Sequence, residues 1–126
     1  MGRFFWICLG GAAGTAARYL LTGWLARVAG AFPLGTLTVN LLGSFLIALI
    51  LHVSMTTELI GPTLRLALTT GVMGGFTTYS AFNYETTRLF QDGAGGMAAL
   101  NLGATILGCL LAGLLGLAAG RALVGG

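Results

Sequence analysis

Long runs of apolar residues alternate with short polar or glycine-rich stretches along this chain. A helix that crosses a bilayer needs about 20 predominantly apolar residues, and four runs reach that length. The predicted loops between them hold only about five to seven residues, so any chemistry must occur within the bilayer or at its surface. We predict one membrane domain over residues 1–126, with spans at residues 4–28, 34–55, 63–90 and 97–123.

The third predicted span differs from the others because it contains glycine, threonine and serine together with a carboxylate. From Gly71 to Glu85 it reads GVMGGFTTYSAFNYE. Glycine weakens a helix by about 1 kcal/mol relative to alanine, and irregular backbone persists at membrane depth only where it is buried in protein or lines a wet path. We therefore predict that this helix is broken at residues 74–80. A broken helix at mid-membrane is typical of an ion or solute site.

Composition places the whole chain in the membrane. Hydrophobic residues make up 56% and charged residues only 7%, whereas a soluble domain has about 25% charged residues. The net charge of +3 is too small and too dispersed to indicate a nucleic-acid partner. One histidine and two distant cysteines offer no metal-ligand cluster, and no nucleophile–base pair indicates an enzyme.

The six arginines divide almost evenly between the two faces of the membrane. The positive-inside rule needs an excess on one side, so the chain can insert both ways and pair as an antiparallel homodimer. The alternative is that another signal decides the orientation. Four helices are too few to enclose a solute path comfortably, which favours at least two copies. Glycines spaced by four, such as Gly10 and Gly14 or Gly71 and Gly75, predict close helix packing.

Three polar residues within the spans each have two interpretations. Asn40 is either an interhelical hydrogen-bonding residue or a donor to a passing anion. Arg18 either attracts anions into a vestibule or extends its guanidinium to the nearer interface. Glu85 either carries protons or is a structural residue near the end of its span.

The aromatic and small polar residues of the spans also have two interpretations each. Tyr79 and Phe82 are three positions apart and therefore share a helix face, where they either pack or present ring edges, which carry positive quadrupole charge, to an anion. Asn101, Thr105 and Cys109 recur every four residues and form a polar line on the fourth span. That line is either a packing face or a ladder of donors beside a pore.

Together these motifs resemble the small microbial fluoride channels of the Fluc/CrcB family. The resemblance covers nearly the whole chain and includes its length and its four spans. Each fragment alone is weak, but their order and spacing are specific. The motifs are GGxxGxxxRY from Gly10, GTLxxNxxG from Gly35, and GxxGGxTTxSxFxxE from Gly71.

The resemblance implies an all-α membrane protein of four transmembrane helices, the third broken near mid-membrane, assembled as an antiparallel, dual-topology homodimer. It implies a passive fluoride-selective channel in the cell (inner) membrane that exports fluoride from the cytoplasm through two pores per dimer. The implied partners are a second copy, fluoride and membrane lipid. A small dual-topology, proton-coupled multidrug exporter is the alternative, but it would need a carboxylate in the first span, which has none.

The resemblance also implies which residues form the site. Arg18 matches a vestibule residue, and the backbone carbonyls of Gly74 and Thr77 match the ligands of a structural sodium ion at the dimer centre. No catalytic residue is implied. The implied anion pathway comprises Asn40, Tyr79, Ser80, Phe82, Asn101 and Thr105.

The chain departs from the family pattern at three positions. Tyr79 stands where phenylalanine is usual, Ala81 where threonine is common, and Asn101 where tyrosine can occur. The changes affect the expected ring-edge contact, one hydroxyl donor and the far end of the polar track. We expect them to alter conduction or selectivity over chloride rather than abolish function.

Overall fold

The structure is a computed structural model that describes all 126 residues, and it is entirely helical. The predicted all-helical architecture is therefore confirmed. Three helices are long and apolar enough to cross a membrane, with mean hydropathies of 1.3, 2.1 and 2.1, consistent with a multi-pass membrane protein. They are α1 (Gly2–Ala29), α2 (Leu34–Thr56) and α6 (Gly95–Val124).

The third predicted span is not one helix but a series of shorter pieces between α2 and α6. It begins with a proline, which fits the first turn of a helix because its missing N–H has no partner there in any case. A π-helical segment then widens the helix before a single further turn. In chain order the pieces are α3 (Pro62–Leu66), the π-helical segment (Ala67–Met73), α4 (Gly74–Phe76) and α5 (Tyr79–Gln91).

The break itself consists of two extended residues, Thr77 (φ −93°, ψ 157°) and Thr78 (φ −153°, ψ 118°). It is narrower than the predicted interval of residues 74–80, because Gly74 and Gly75 stay helical. Glycine permits irregular backbone without requiring it, whereas β-branched threonine favours the extended conformation. Thr78 also caps α5, since its side-chain oxygen accepts a hydrogen bond from the N–H of Ala81.

Helix α1 packs against the first half of the third span through glycines. A Cβ atom added to Gly14 would overlap the carbonyl group of Val72, and one added to Gly71 would lie 2.7 Å from the carbonyl oxygen of Ile7. The two backbones therefore meet directly, as the glycine spacing predicts. The same device recurs between α2 and α6, where Gly120 leaves room for the ring of His52.

Most of the apolar surface lies outside the packed centre of the single chain. Only 20 of 126 residues are buried. In a membrane protein, such surface contacts lipid or other protein, because lipid tails are as apolar as the side chains. A single chain thus leaves extensive helix faces available to both.

Candidate functional site

An open groove of about 400 Å³ lies beside the break. Its walls come from α2, from both halves of the third span and from α6. Thr77 can lie against α2 because residue 43 is a glycine, whose added Cβ would overlap the Thr77 methyl group. The groove collects most of the site residues predicted from the sequence, namely Asn40, Gly74, Thr77, Tyr79, Phe82 and Thr105.

Asn40 holds the broken backbone with both ends of its amide. Its Nδ2 donates to the carbonyl oxygen of Thr78 over 3.1 Å, and its Oδ1 accepts from the N–H of Thr78 over 2.9 Å. The side chain is buried, and one of its two N–H bonds is left for another acceptor. Asn40 is thus an interhelical hydrogen-bonding residue that also lines the groove. Sequence reasoning did not single out Thr78; a threonine directly before a helix is a capping signal that could have indicated it.

Two carbonyl groups beside the break lose their regular helical donors. In a continuous helix the N–H of Thr78 would bond to the carbonyl of Gly74, but here it bonds to Asn40. The N–H of Ala81 would bond to the carbonyl of Thr77, but here it bonds to the Thr78 hydroxyl over 3.3 Å. The two carbonyls predicted to bind sodium are thus among those that lack their regular helical donors at the break.

Arg18 reaches the break from the side of α1. Its Nε donates to the carbonyl oxygen of Gly75 over 2.9 Å, and the residue is half-buried. It does not line the groove. The bond satisfies a third carbonyl at the end of α4, while the terminal guanidinium nitrogens remain available for other partners.

The aromatic pair has one buried and one exposed member. The rings of Tyr79 and Phe82 meet edge to face, with centroids 5.6 Å apart and planes at 70°. Phe82 is 4% exposed and Tyr79 is 77% exposed, so within one chain only Phe82 is held in place. Ser80 is exposed, and its hydroxyl lies 3.4 Å from that of Thr78. Ser80 does not line the groove.

Asn101 lies behind the groove rather than in its wall. It is 1% exposed, its Nδ2 donates to Thr86 over 2.9 Å, and its Oδ1 accepts from Thr105 over 3.5 Å. Thr86 in turn donates to the carbonyl oxygen of Phe82 over 2.8 Å. The sequence reasoning did not single out Thr86, whose only signal is its position one turn after Phe82. Asn101 is thus connected to the groove through Thr105 and Phe82.

A second cavity of about 440 Å³ lies at the far end of α5. Glu85 lines it, and its buried Oε1 has no hydrogen-bond partner. Arg88 and Asp92 also line it and form a 3.8 Å ion pair, but both are more than half exposed. The two interpretations of Glu85 remain open.

No group of three or more histidine, cysteine, aspartate or glutamate residues is placed to hold a metal ion anywhere in the chain. A cation at this site would therefore bind to backbone and hydroxyl oxygens. Such ligands suit hard cations and not soft ones.

Comparison with known proteins identifies a family that matches nearly the whole chain. The profile of the family described as CrcB-like protein, Camphor Resistance (CrcB), matches residues 5–117. A relative from Sorangium cellulosum, named fluoride-specific ion channel FluC, is 57% identical over the full length of both chains. Relatives with the same name occur in Anaeromyxobacter dehalogenans, at 55% identity over 89% of this chain and 90% of the relative, and in Geobacter sulfurreducens, at 48% over 93% and 95%.

Proposed function

This chain belongs to the CrcB-like family, and from that premise we propose that it is a passive ion channel selective for fluoride. Relatives that share about half of its residues over nearly the full length carry the name of such a channel. The observation that carries the proposal is the groove at the break, where an amide, an aromatic ring and a hydroxyl come together.

The groove offers what a small, strongly hydrated anion requires. A channel must replace the water around the ion with other donors, yet bind it weakly enough for release. Asn40 retains one amide N–H, Phe82 supplies a ring of which the edge is positive, and Thr105 supplies a hydroxyl. Chloride is larger, and the width of the path and the spacing of its donors would exclude it.

Fluoride moves in the proposed channel only down its electrochemical gradient. Fluoride enters cells as the neutral acid and dissociates in the cytoplasm, so a passive path leads outward.

The functional unit in this proposal is an antiparallel homodimer with two pores. The even division of arginines and the groove that one chain leaves open support it. In a background without Cys8 and Cys109, a cysteine introduced at Glu58 should react with an impermeant thiol reagent in half of the copies in intact cells. Labelling of all copies, or of none, would argue for a single orientation.

A structural sodium ion at the dimer centre fits the chemistry of the break. The carbonyls of Gly74 and Thr77, which lose their helical donors, would hold it. Hard cations such as Ca²⁺ take six or more oxygen ligands, so two carbonyls of one chain would need those of a second copy. When bound, the ion would offset part of the cost of holding anions in a medium of low dielectric constant. Replacing sodium with choline should then lower the unfolding temperature of the purified protein.

Ion flux from proteoliposomes tests the proposed function directly. Purified protein should release trapped fluoride, followed with a fluoride electrode, much faster than chloride under the same gradient. Equal rates for the two ions would end the claim of selectivity. Phe82→Ala and Asn40→Ala should each reduce fluoride flux sharply, and normal flux in both variants would place the pathway elsewhere. Proton-coupled transport of a dye would instead support a multidrug exporter.

A further inference from the structure

Three buried hydroxyl and amide groups form a hydrogen-bonded chain between α5 and α6. Thr105, Asn101 and Thr86 are 8%, 1% and 6% exposed. The bonds run from Thr105 to Asn101 over 3.5 Å, from Asn101 to Thr86 over 2.9 Å, and from Thr86 to the carbonyl oxygen of Phe82 over 2.8 Å. This series of hydrogen bonds thus connects Thr105 with Phe82, and both residues line the groove.

The chemistry of the groups fixes the direction of every bond. A carbonyl oxygen only accepts hydrogen bonds, so Thr86 donates its single hydroxyl proton to the carbonyl oxygen of Phe82. The oxygen of Thr86 can then only accept from α6, which requires the nitrogen end of the Asn101 amide to face it. The oxygen end of that amide consequently faces Thr105 and accepts its hydroxyl proton.

A threonine hydroxyl has only one proton to donate. While Thr105 donates to Asn101, it presents lone pairs rather than a proton to the groove that it lines. Lone pairs repel an anion. For Thr105 to bind an anion, its hydroxyl must rotate away from Asn101, and the 3.5 Å length of this bond marks it as weak enough to break.

We propose that Asn101 competes with the permeating anion for the hydroxyl proton of Thr105, with Thr86 holding the Asn101 amide in the competing orientation. Asn101 and Thr86 are therefore positioning residues that act through Thr105 and do not touch the ion. The inference rests on the proposed function, since it concerns fluoride in the same groove. Weak binding favours release, and this competition lowers affinity at one step of the path.

Asn101→Leu tests the proposal because leucine has a similar size and no acceptor. The variant should lower the fluoride concentration at half-maximal flux in proteoliposomes by about two- to threefold, since a long neutral hydrogen bond lies at the low end of net contributions. Thr86→Val should shift it in the same direction, because the amide is then free to turn. The double variant should shift no further than Asn101→Leu alone.

Two further variants decide whether the effect acts through Thr105. Thr105→Val should raise the half-maximal concentration, and adding Asn101→Leu to it should then change nothing. Thr87→Val is the matched control for Thr86→Val: the Thr87 hydroxyl also donates to a carbonyl one turn earlier over 2.8 Å, but Thr87 is exposed and bonds to nothing on α6. It should leave flux unchanged.

The outcomes separate this inference from the proposed function. A higher half-maximal concentration in Asn101→Leu, or a shift that persists without Thr105, would overturn the inference, because Asn101 would then contact the ion itself. Absence of fluoride flux in the unaltered protein would overturn the proposed function. In that case a double-mutant cycle of Asn101→Leu and Thr105→Val on the free energy of unfolding still decides whether Thr105 donates to Asn101. A coupling energy of zero would show that this hydrogen bond is absent and would overturn the inference.

Discussion

The two halves of the third span are held by different kinds of contact. The first half, from α3 to α4, lies against α1 through glycines whose backbones meet directly. The second half, α5, lies against α6 through buried side-chain hydrogen bonds centred on Asn101. We refer to these contacts as the glycine interface and the hydrogen-bonded interface.

The difference follows from the bilayer as a solvent. Lipid tails are as apolar as leucine, so helices associate through close packing and through hydrogen bonds rather than through water exclusion. The glycine interface depends on close packing, and its backbones leave no space for a side chain to move. The hydrogen-bonded interface depends on hydrogen bonds, and it leaves the Thr105 hydroxyl able to rotate. A rigid half and an adjustable half therefore meet at the break, where Asn40 pairs with Thr78.

The largest expected effect comes from filling the glycine interface. Gly14→Val should destabilise the protein by more than about 3 kcal/mol, because its side chain would overlap the backbone at Val72 and a helix backbone cannot shift to make room. Loss of monodisperse protein in size-exclusion chromatography would show it. Gly23→Val is the control on the same helix, since nothing lies within 4 Å of a Cβ there. Equal behaviour of the two variants would contradict direct backbone packing.

Asn40→Leu tests the junction between the halves. It removes both hydrogen bonds to Thr78 and leaves that N–H and carbonyl without their partners. We expect a loss of about 2 kcal/mol in the free energy of unfolding in mixed micelles, at the upper end for hydrogen bonds within membranes. Fluoride flux should fall as well. Wild-type stability in this variant would mean that Asn40 does not hold the break.

Arg18→Gln should have a smaller effect. Arg18 makes the one side-chain hydrogen bond from α1 to the first half of the third span, in which its Nε donates to the carbonyl oxygen of Gly75. We expect a loss of about 1 kcal/mol, measured by unfolding in mixed micelles. Arg18→Lys separates the charge from the bond, because lysine keeps the charge and lacks the Nε donor. If Arg18→Lys restores fluoride flux but not stability, the charge acts on the ion and the bond acts on the fold.

Asp92→Asn should have the smallest effect. In the ion pair between Arg88 and Asp92, a guanidinium nitrogen lies 3.8 Å from a carboxylate oxygen, and both side chains are more than half exposed. Exposed pairs contribute less than about 1 kcal/mol, and pairs one helical turn apart about 0.3–0.5 kcal/mol. The free energy of unfolding in mixed micelles should therefore change by less than about 0.5 kcal/mol. A larger loss would contradict the interpretation of this contact as a weak, exposed ion pair.

The sequence was sufficient for the coarse architecture, and it named several of the residues that line the groove. Apolar runs of sufficient length predicted the helices, and the glycine-threonine stretch predicted the interruption. The exact position of the break could not be read from it, because Gly74 and Gly75 are equally compatible with a helix and with a turn. The role of Gly75 became visible only in the structure, where its carbonyl accepts from Arg18 and its Cα lies against the backbone of α1.

For the polar side chains, the sequence offered alternatives rather than answers. It placed Asn40 and Asn101 within apolar spans, where each amide needs partners, but many partners were possible. Folding made Asn40 the partner of Thr78 and Asn101 the partner of Thr86. It also placed Asn101 behind the groove, whereas Tyr79 and Phe82 both line it, the first exposed and the second buried.

By itself the sequence determined that this chain lies in a membrane, where its helices run and which one is interrupted. These properties are local, because apolar length and backbone propensity belong to consecutive residues. Only the tertiary structure decided which side chains take the donors freed at the break and which group accepts the hydroxyl proton of Thr105. Those properties depend on atoms brought together from distant parts of the chain, and a hydrogen bond forms or fails over a few tenths of an ångström.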